Sequence, residues 1–263
     1  MKLSEIPKIN REAFPQFTLF AGPCVIESES SLSEIAEKLL NITAGLNIPF
    51  VLKASFKKAN RTKHFDFSTI GDETALSILQ NVGRKFNIPT MTDVHSRFDA
   101  RLVDDYEIDI IQIPAMLSRQ TDIIQAAANT GKIVNIKKGQ FMSGFDINYV
   151  VEKVIATGHH DIILTERGTA FGYNDLVVDM RNVPIMQATG CPVIVDITHS
   201  LGTSDGDPKM IRMFGRMAIA SGADGIFLET HPNPAKAKSD GNRMLMLNNV
   251  PTLLRELLTL TKD

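Results

Sequence analysis

A thiol, an imidazole and two carboxylates stand at or just beyond the ends of apolar runs in this chain. Cys24 closes the run that begins at Phe17 and passes through Gly22-Pro23. His199 follows Val193-Ile194-Val195-Asp196-Ile197-Thr198, Glu229 follows Gly225-Ile226-Phe227-Leu228, and Asp240 lies a short way beyond. Such a mixed set suits a divalent transition metal such as Zn²⁺, Fe²⁺ or Mn²⁺. It reads as a catalytic rather than a closed structural site, because structural zinc favours all Cys and His. A second group is cationic: Lys53, Lys58, Arg61, Lys137 and Arg167. Gathered in one mouth these would repel each other unless an anion were bound. A phosphorylated or carboxylated substrate supplies it, with Arg giving bidentate contacts and Lys a point charge.

Each residue also has a plain structural reading. Cys24 alone is a small buried hydrophobe, and Cys191 an inert thiol in the turn before a strand. His199, His159, His160 and His231 taken singly are hydrogen-bonded structural residues. Lys57 and Lys63 read as solvated loop charges, and the whole cationic group could be spread over solvated loops. Asp240 sits in Lys238-Ser239-Asp240-Gly241-Asn242, where Asp ordinarily forms a turn. Asp196 lies three residues before His199 and is expected to face the other side of its strand and bond within the core. Glu27 and Glu29 suit the N-terminus of a helix.

The elements that would bring these residues together are eight apolar runs, spaced by roughly 20 to 40 residues, the length of a strand plus a crossover helix. They are Phe17 to Cys24, Pro49 to Ala54, Ile88 to Asp93, Ile108 to Ile113, Lys132 to Lys137, Asp161 to Thr165, Pro192 to Thr198 and Asp224 to Leu228. Rich in Ile and Val and mostly without alternation, they suit parallel strands buried on both faces. Helical periodicity marks Leu32 to Leu46, Thr74 to Phe86, Thr121 to Thr130, Met210 to Ala220 and Asn249 to Leu260. Ser31 with Glu34 has the spacing of a capping box, Gly131 suits a helix C-terminus, and Pro251 suits a first turn.

Eight strand–helix units predict an α/β fold, a (β/α)₈ TIM barrel in a single domain over 1–263, with 1–16 an N-terminal extension capping the floor. A doubly wound open sheet is the alternative; no G-x-G-x-x-G follows any strand, which weakens a dinucleotide-binding reading. The 263 residues are 43% hydrophobic with a net charge of −2, which suits a globular enzyme and gives nucleic acid no basic surface. No apolar run approaches the roughly 18 residues of a membrane span. Met1 to Pro7 does not read as a signal peptide, so a cytoplasmic location is expected.

The strand ends sit in recognisable strings. Ala21-Gly22-Pro23-Cys24-Val25-Ile26-Glu27-Ser28 resembles the first-strand motif of enzymes that condense phosphoenolpyruvate with a sugar phosphate aldehyde. Lys53-Ala54-Ser55-Phe56 and Lys58-Ala59-Asn60-Arg61-Thr62 resemble the second-loop motif of the 3-deoxy-D-manno-octulosonate 8-phosphate synthase family. Thr92 to His95, Gln112 to Ala115, Arg119 to Asp122, Asn135 to Phe141, Glu166 to Gly168, Asp196 to Ser200 and Glu229 to Pro232 match it in order. The sister 3-deoxy-D-arabino-heptulosonate 7-phosphate synthases have Pro-Arg-Thr in the second loop, so Ala59-Asn60-Arg61-Thr62 favours arabinose 5-phosphate.

The resemblance implies that Lys58, Lys137 and Arg167 hold phosphoenolpyruvate, and that Asn60, Arg61 and Thr62 hold arabinose 5-phosphate. Lys53, Ser55, Asp93, Gln112 and Ala115 line the site, and Arg119 reaches a neighbour in a homotetramer. Lys58, Asn60, Asp93 and His199 are the expected catalytic set. Cys24 assigns the chain to the metal-dependent branch, with Cys24, His199, Glu229 and Asp240 as ligands; metal-independent relatives carry Asn. The product would serve as a lipopolysaccharide precursor. The metal's role, Lewis acid at the aldehyde or holder of a water, stays open. Two departures stand out: the loop Leu201 to Pro208 lacks the family's Gln and longer Gly-rich insert, predicting less complete closure, and Met116 replaces an aromatic residue at a subunit contact. Competing readings are the sister synthase, a metal-dependent aldolase that releases no phosphate, and a non-enzymatic sugar phosphate binder.

Overall fold

The strands form because their β-branched side chains are buried from both sides. In the computed structural model, which describes residues 1–9, 17–59, 64–202 and 206–261, eight parallel strands follow one another around a closed barrel. They are β1 (Thr18–Gly22), β2 (Phe50–Lys53), β3 (Thr90–Asp93), β4 (Ile110–Ile113), β5 (Ile133–Lys137), β6 (Ile162–Glu166), β7 (Val193–Asp196) and β8 (Gly225–His231). Closure is explicit in the register: Phe20 on β1 lies opposite both Val51 on β2 and Phe227 on β8. The expected TIM barrel is present and the open sheet is excluded.

The helices are α1 (Glu29–Gly45), α2 (Asp72–Phe86), α3 (Arg97–Asp104), α4 (Thr121–Ala128), α5 (Ile147–Ile155), α6 (Asn182–Gln187), α7 (Pro208–Ala220) and α8 (Val250–Leu258). Five match the periodic stretches. The start of α1 differs from expectation: Ser28, not Ser31, is the N-cap, and its hydroxyl accepts the Ser31 backbone N–H at 3.2 Å. A two-residue hairpin, Thr169–Ala170 against Leu176–Val177, rises from the loop after β6. No helix among the described residues is long and apolar enough to cross a membrane.

Period-two alternation sorts each strand into an outer and an inner column. Outer residues such as Leu19, Leu52, Ile111 and Val195 pack under the helices. The inner column starts apolar: Phe20, Val51, Met91, Ile110, Ile133, Ile163, Ile194 and Phe227 form one cluster with Leu3, Ile6 and Ile9 of the N-terminal segment. That segment therefore seals the floor, and Lys8 ties it to Asp109 at 3.0 Å. Two residues further along, the same inner column turns polar: Lys53, Asp93, Gln112, Asn135, Thr165, Asp196 and Glu229, all buried. Burying so many polar groups is costly unless they pair, and their pairing makes the site. Gly22, at the mouth end of β1, is held to glycine because a Cβ there would overlap the Lys53 carbonyl.

Candidate active site and metal cluster

At the C-terminal mouth lies a cavity of about 110 Å³ lined by Lys53, Lys58, Asp93, His95, Gln112, Ala115, Lys137, Arg167, His199 and Glu229, with Pro114, Met116 and Gln140 at its edge. Four of its expected residues, Lys53, Asp93, Lys137 and Arg167, are strand ends or the position just after one.

The cations are not left to repel each other. The Lys53 ammonium, 2% exposed, lies 3.7 Å from Asp93 and 3.5 Å from Glu229 and donates to Ser55 Oγ at 2.9 Å. Lys137 donates to Asp196 at 2.6 Å, and its ammonium sits 3.9 Å from the centre of the Phe227 ring, a cation–π contact. Arg167 donates to the His199 carbonyl at 3.3 Å. Burial alone would raise the Asp93 carboxyl; Lys53, Lys58 and His95 outweigh it and hold it well below the usual carboxylate range. Burial likewise opposes ionisation of Glu229, yet His199, Lys58, Lys53 and Lys137 bring it below its ordinary value. Burial lowers the Lys137 ammonium, against the pull of Asp196. Burial also opposes the charge of Lys58, but its neighbours Cys24, Asp93, Glu229 and Asp240 outweigh it and raise it.

Beside the cavity, one ligand atom each from Cys24, Glu229 and Asp240 lie within 4.8 Å of one another. The Cys24 thiol donates to Asp240 Oδ2 at 3.2 Å and lies 2.9 Å from Ser239 Oγ. Burial first, then Glu229 and Asp240, push this thiol up to about 12. The loop carrying Asp240 is drawn to the first strand through Glu27, whose carboxylate accepts the Lys238 N–H at 2.8 Å. His199 stands next to the cluster, its Nε2 3.5 Å from Glu229 Oε2. Both Glu229 carboxylate oxygens are buried with no hydrogen-bond partner among the described residues. A buried carboxylate with open lone pairs, next to a thiol and an imidazole, fits a divalent cation.

The DAHP synthetase I family model matches residues 10–263. The chain belongs to that family. Its relatives include the 2-dehydro-3-deoxyphosphooctonate aldolase of Geotalea daltonii (strain DSM 22248 / JCM 15807 / FRC-32), 45% identical over 246 residues, 91% of this chain and 90% of the relative. The aldolase of the same name from Acidithiobacillus ferrooxidans (strain ATCC 53993 / BNL-5-31) is 47% identical over 248 residues, 92% of this chain and 88% of the other. That of Methylococcus capsulatus (strain ATCC 33009 / NCIMB 11132 / Bath) is 46% identical over 251 residues, 93% and 88%.

Within this family barrel some expected residues stand apart from the cavity. Asn60, Arg61, Thr62 and Lys63 lie outside the described residues, as do 203–205 of the loop after His199. Arg119 is exposed and does not line the cavity; its carbonyl accepts from Lys153 at 2.8 Å. Two expectations are corrected. Lys57 is not a solvated loop charge: it bridges Asp99 at 2.6 Å and Asp72 at 2.9 Å. Asp196 does not turn away from His199, because His199 lies beyond the strand in a 3₁₀ turn (His199–Leu201), where strand alternation no longer applies. Counted from Ile194, two residues earlier, Asp196 points inward. His95 and Gln140 also line the cavity, outside the expected site set. The signal for His95 was its spacing of two from Asp93, its salt-bridge partner at 3.3 Å.

Proposed function

We propose that this protein joins phosphoenolpyruvate to D-arabinose 5-phosphate, forming 3-deoxy-D-manno-octulosonate 8-phosphate and inorganic phosphate. The observation that carries this is identity of 45–47% over nine-tenths of the chain to relatives named 2-dehydro-3-deoxyphosphooctonate aldolase. The cavity supports it, since four buried or half-buried cations converge on a space open to small anions.

In this reading Lys58, Lys137 and Arg167 hold phosphoenolpyruvate, and Lys53, Ser55, Asp93, Gln112 and Ala115 shape the walls. Asn60, Arg61 and Thr62 take the sugar phosphate, and Arg119 reaches a neighbouring subunit. C3 of phosphoenolpyruvate forms a bond to the aldehyde carbon, and the aldehyde oxygen takes a proton. Water adds at C2, and the hemiketal phosphate so formed breaks its C2–O bond to release phosphate. The cations contribute by fixing two anions in near-attack geometry, which their buried carboxylate partners make rigid. Lys58, Asp93 and His199 are the described members of the catalytic set, with Asn60.

Cys24, Glu229, Asp240 and His199 would hold a divalent metal such as zinc, iron or manganese, which puts the chain in the metal-dependent branch. Such an ion supplies Lewis acidity or a bound, oriented water. The thiol and imidazole favour these softer ions over magnesium. We further assign the whole of 1–263 to one barrel domain, working in the cytoplasm as a homotetramer. Support for assembly comes from exposed Met116, Phe141, Phe145, Tyr149, Phe171 and Tyr173 on the loops after β4, β5 and β6 and on α5. The Ala170 N–H donates to the Gln140 carbonyl at 2.8 Å, which joins two of these loops.

A phosphate-release assay with phosphoenolpyruvate and each aldehyde, before and after chelation, tests the reading. Turnover with arabinose 5-phosphate that chelation abolishes is expected. Turnover with erythrose 4-phosphate alone would instead select the sister synthase. Full activity after chelation would remove the metal.

A further inference from the structure

Asp196 has no role in the reading above, yet it touches both halves of the site. It is wholly buried on β7. Its Oδ1 accepts the backbone N–H groups of Thr198 at 2.9 Å and His199 at 2.8 Å. Its Oδ2 accepts from Lys137 Nζ at 2.6 Å and from His199 Nδ1 at 2.8 Å. Four donors fill the roughly four lone-pair sites of a carboxylate.

The chemistry follows from donors and acceptors. An ionised carboxylate only accepts, so His199 Nδ1 must carry the hydrogen in this contact. In the neutral ring that leaves the lone pair on Nε2, the atom that faces Glu229. A lone pair opposite two hydrogen-bond-free carboxylate oxygens is an arrangement that a cation between them relieves. The same Asp196 oxygen fixes the Lys137 ammonium over the Phe227 ring. One oxygen atom thus sets the tautomer and direction of a metal-ligand candidate and the place of a substrate cation.

We propose that Asp196 is a positioning residue that couples the metal cluster to the phosphoenolpyruvate cations, acting through His199 on one side and Lys137 on the other. The proposal rests on the metal and phosphoenolpyruvate roles given above. An amide at this position could not accept from both donors at one oxygen without turning its own N–H₂ toward another donor.

The test compares Asp196→Asn, His199→Ala, Lys137→Ala and the double variants of Asp196→Asn with each. Zn²⁺ affinity is read by competition with a fluorescent chelator, and the phosphoenolpyruvate KM by phosphate release; circular dichroism melts confirm folding. Asp196→Asn should weaken Zn²⁺ binding about 10- to 100-fold, as loss of an outer partner of a metal-bound histidine does, and raise the KM about tenfold. Lys137→Ala should raise the KM alone. In the His199→Ala background Asp196→Asn should weaken Zn²⁺ no further, and in the Lys137→Ala background it should raise the KM no further. A merely structural Asp196 would give additive losses in both backgrounds, which would overturn the proposal, as would unchanged Zn²⁺ affinity or unchanged KM. Should the amide variant fail to fold, Asp196→Glu keeps the buried charge and carries the same expectations. If wild-type protein binds no Zn²⁺ in a Cys24-dependent way, the metal reading fails. Non-additivity of the KM with Lys137→Ala then decides the Lys137 arm separately.

Discussion

Cys24 is protonated at neutral pH when no cation is bound, because burial and two neighbouring carboxylates push its thiol up to about 12. A metal held there, as proposed, would bind the thiolate and so expel that proton. Below the thiol's own value each unit of pH therefore changes affinity about tenfold, tighter as pH rises. Chelator competition at pH 7, 8 and 9 should show this slope, and Cys24→Asn should flatten it while lowering affinity. Tight binding retained in that variant would take Cys24 out of the ligand set. Arg167 supplies a second test. Replacing it by Lys keeps the charge but loses the planar fork, so Arg167→Lys should cost about 1.5–3 kcal/mol, roughly ten- to hundredfold in kcat/KM for phosphoenolpyruvate. At this scale the sequence was legible where a residue ends a strand, as Lys53, Asp93 and Lys137 do. It was misread where the chain leaves the strand, as between Asp196 and His199, since spacing then says nothing about direction.

Among the elements, the loop after β2 has an anchor that composition hides. Lys57 spans to Asp72 at the start of α2 and to Asp99 on α3, and Asp99 also accepts the His95 N–H at 2.9 Å. One buried carboxylate thus ties the loop bearing Lys58 to the loop bearing His95. Asp99→Ala should lower stability by about 1–3 kcal/mol by leaving donors unpaired. It should raise the sugar phosphate KM with Zn²⁺ affinity unchanged; steady-state kinetics beside a denaturant titration would show it. The strands were readable as buried Ile and Val runs. Three helices were not. α3 is eight residues long and buries Asp99, Ala100 and Val103, α5 is nine residues long and buries Ile147, Val150, Val151 and Val154, and α6 is six residues long with Pro184 inside it. Short helices offer too few turns for periodicity to stand out in the sequence, and tertiary packing supplies most of their stability.

Over the whole molecule, the buried carboxylates make stability depend on acid. Asp93 and Asp196 are held well below their ordinary range, and Glu229 below its own. The unfolded chain therefore takes up protons first as pH falls, and stability rises with pH wherever it binds more. Their contribution is complete above the unfolded carboxylate values of about 4 and is lost below them. Melting temperatures should be level from pH 7 to 5 and fall steeply beneath about pH 4. Asp93→Asn should make that fall shallower.

The stopper of Leu3, Ile6 and Ile9 under the inner ring makes the barrel a vessel with a dry base and a wet rim. Turnover is decided at the rim, where side chains meet solutes; the lifetime of the fold is decided at the base, at the other end of the same short strands. The two ageing processes should therefore separate. Ile6→Ala, which empties a fully buried site, should shorten the half-life of activity at elevated temperature while both KM values stay where they were. An enzyme of this build wears out from below and works from above.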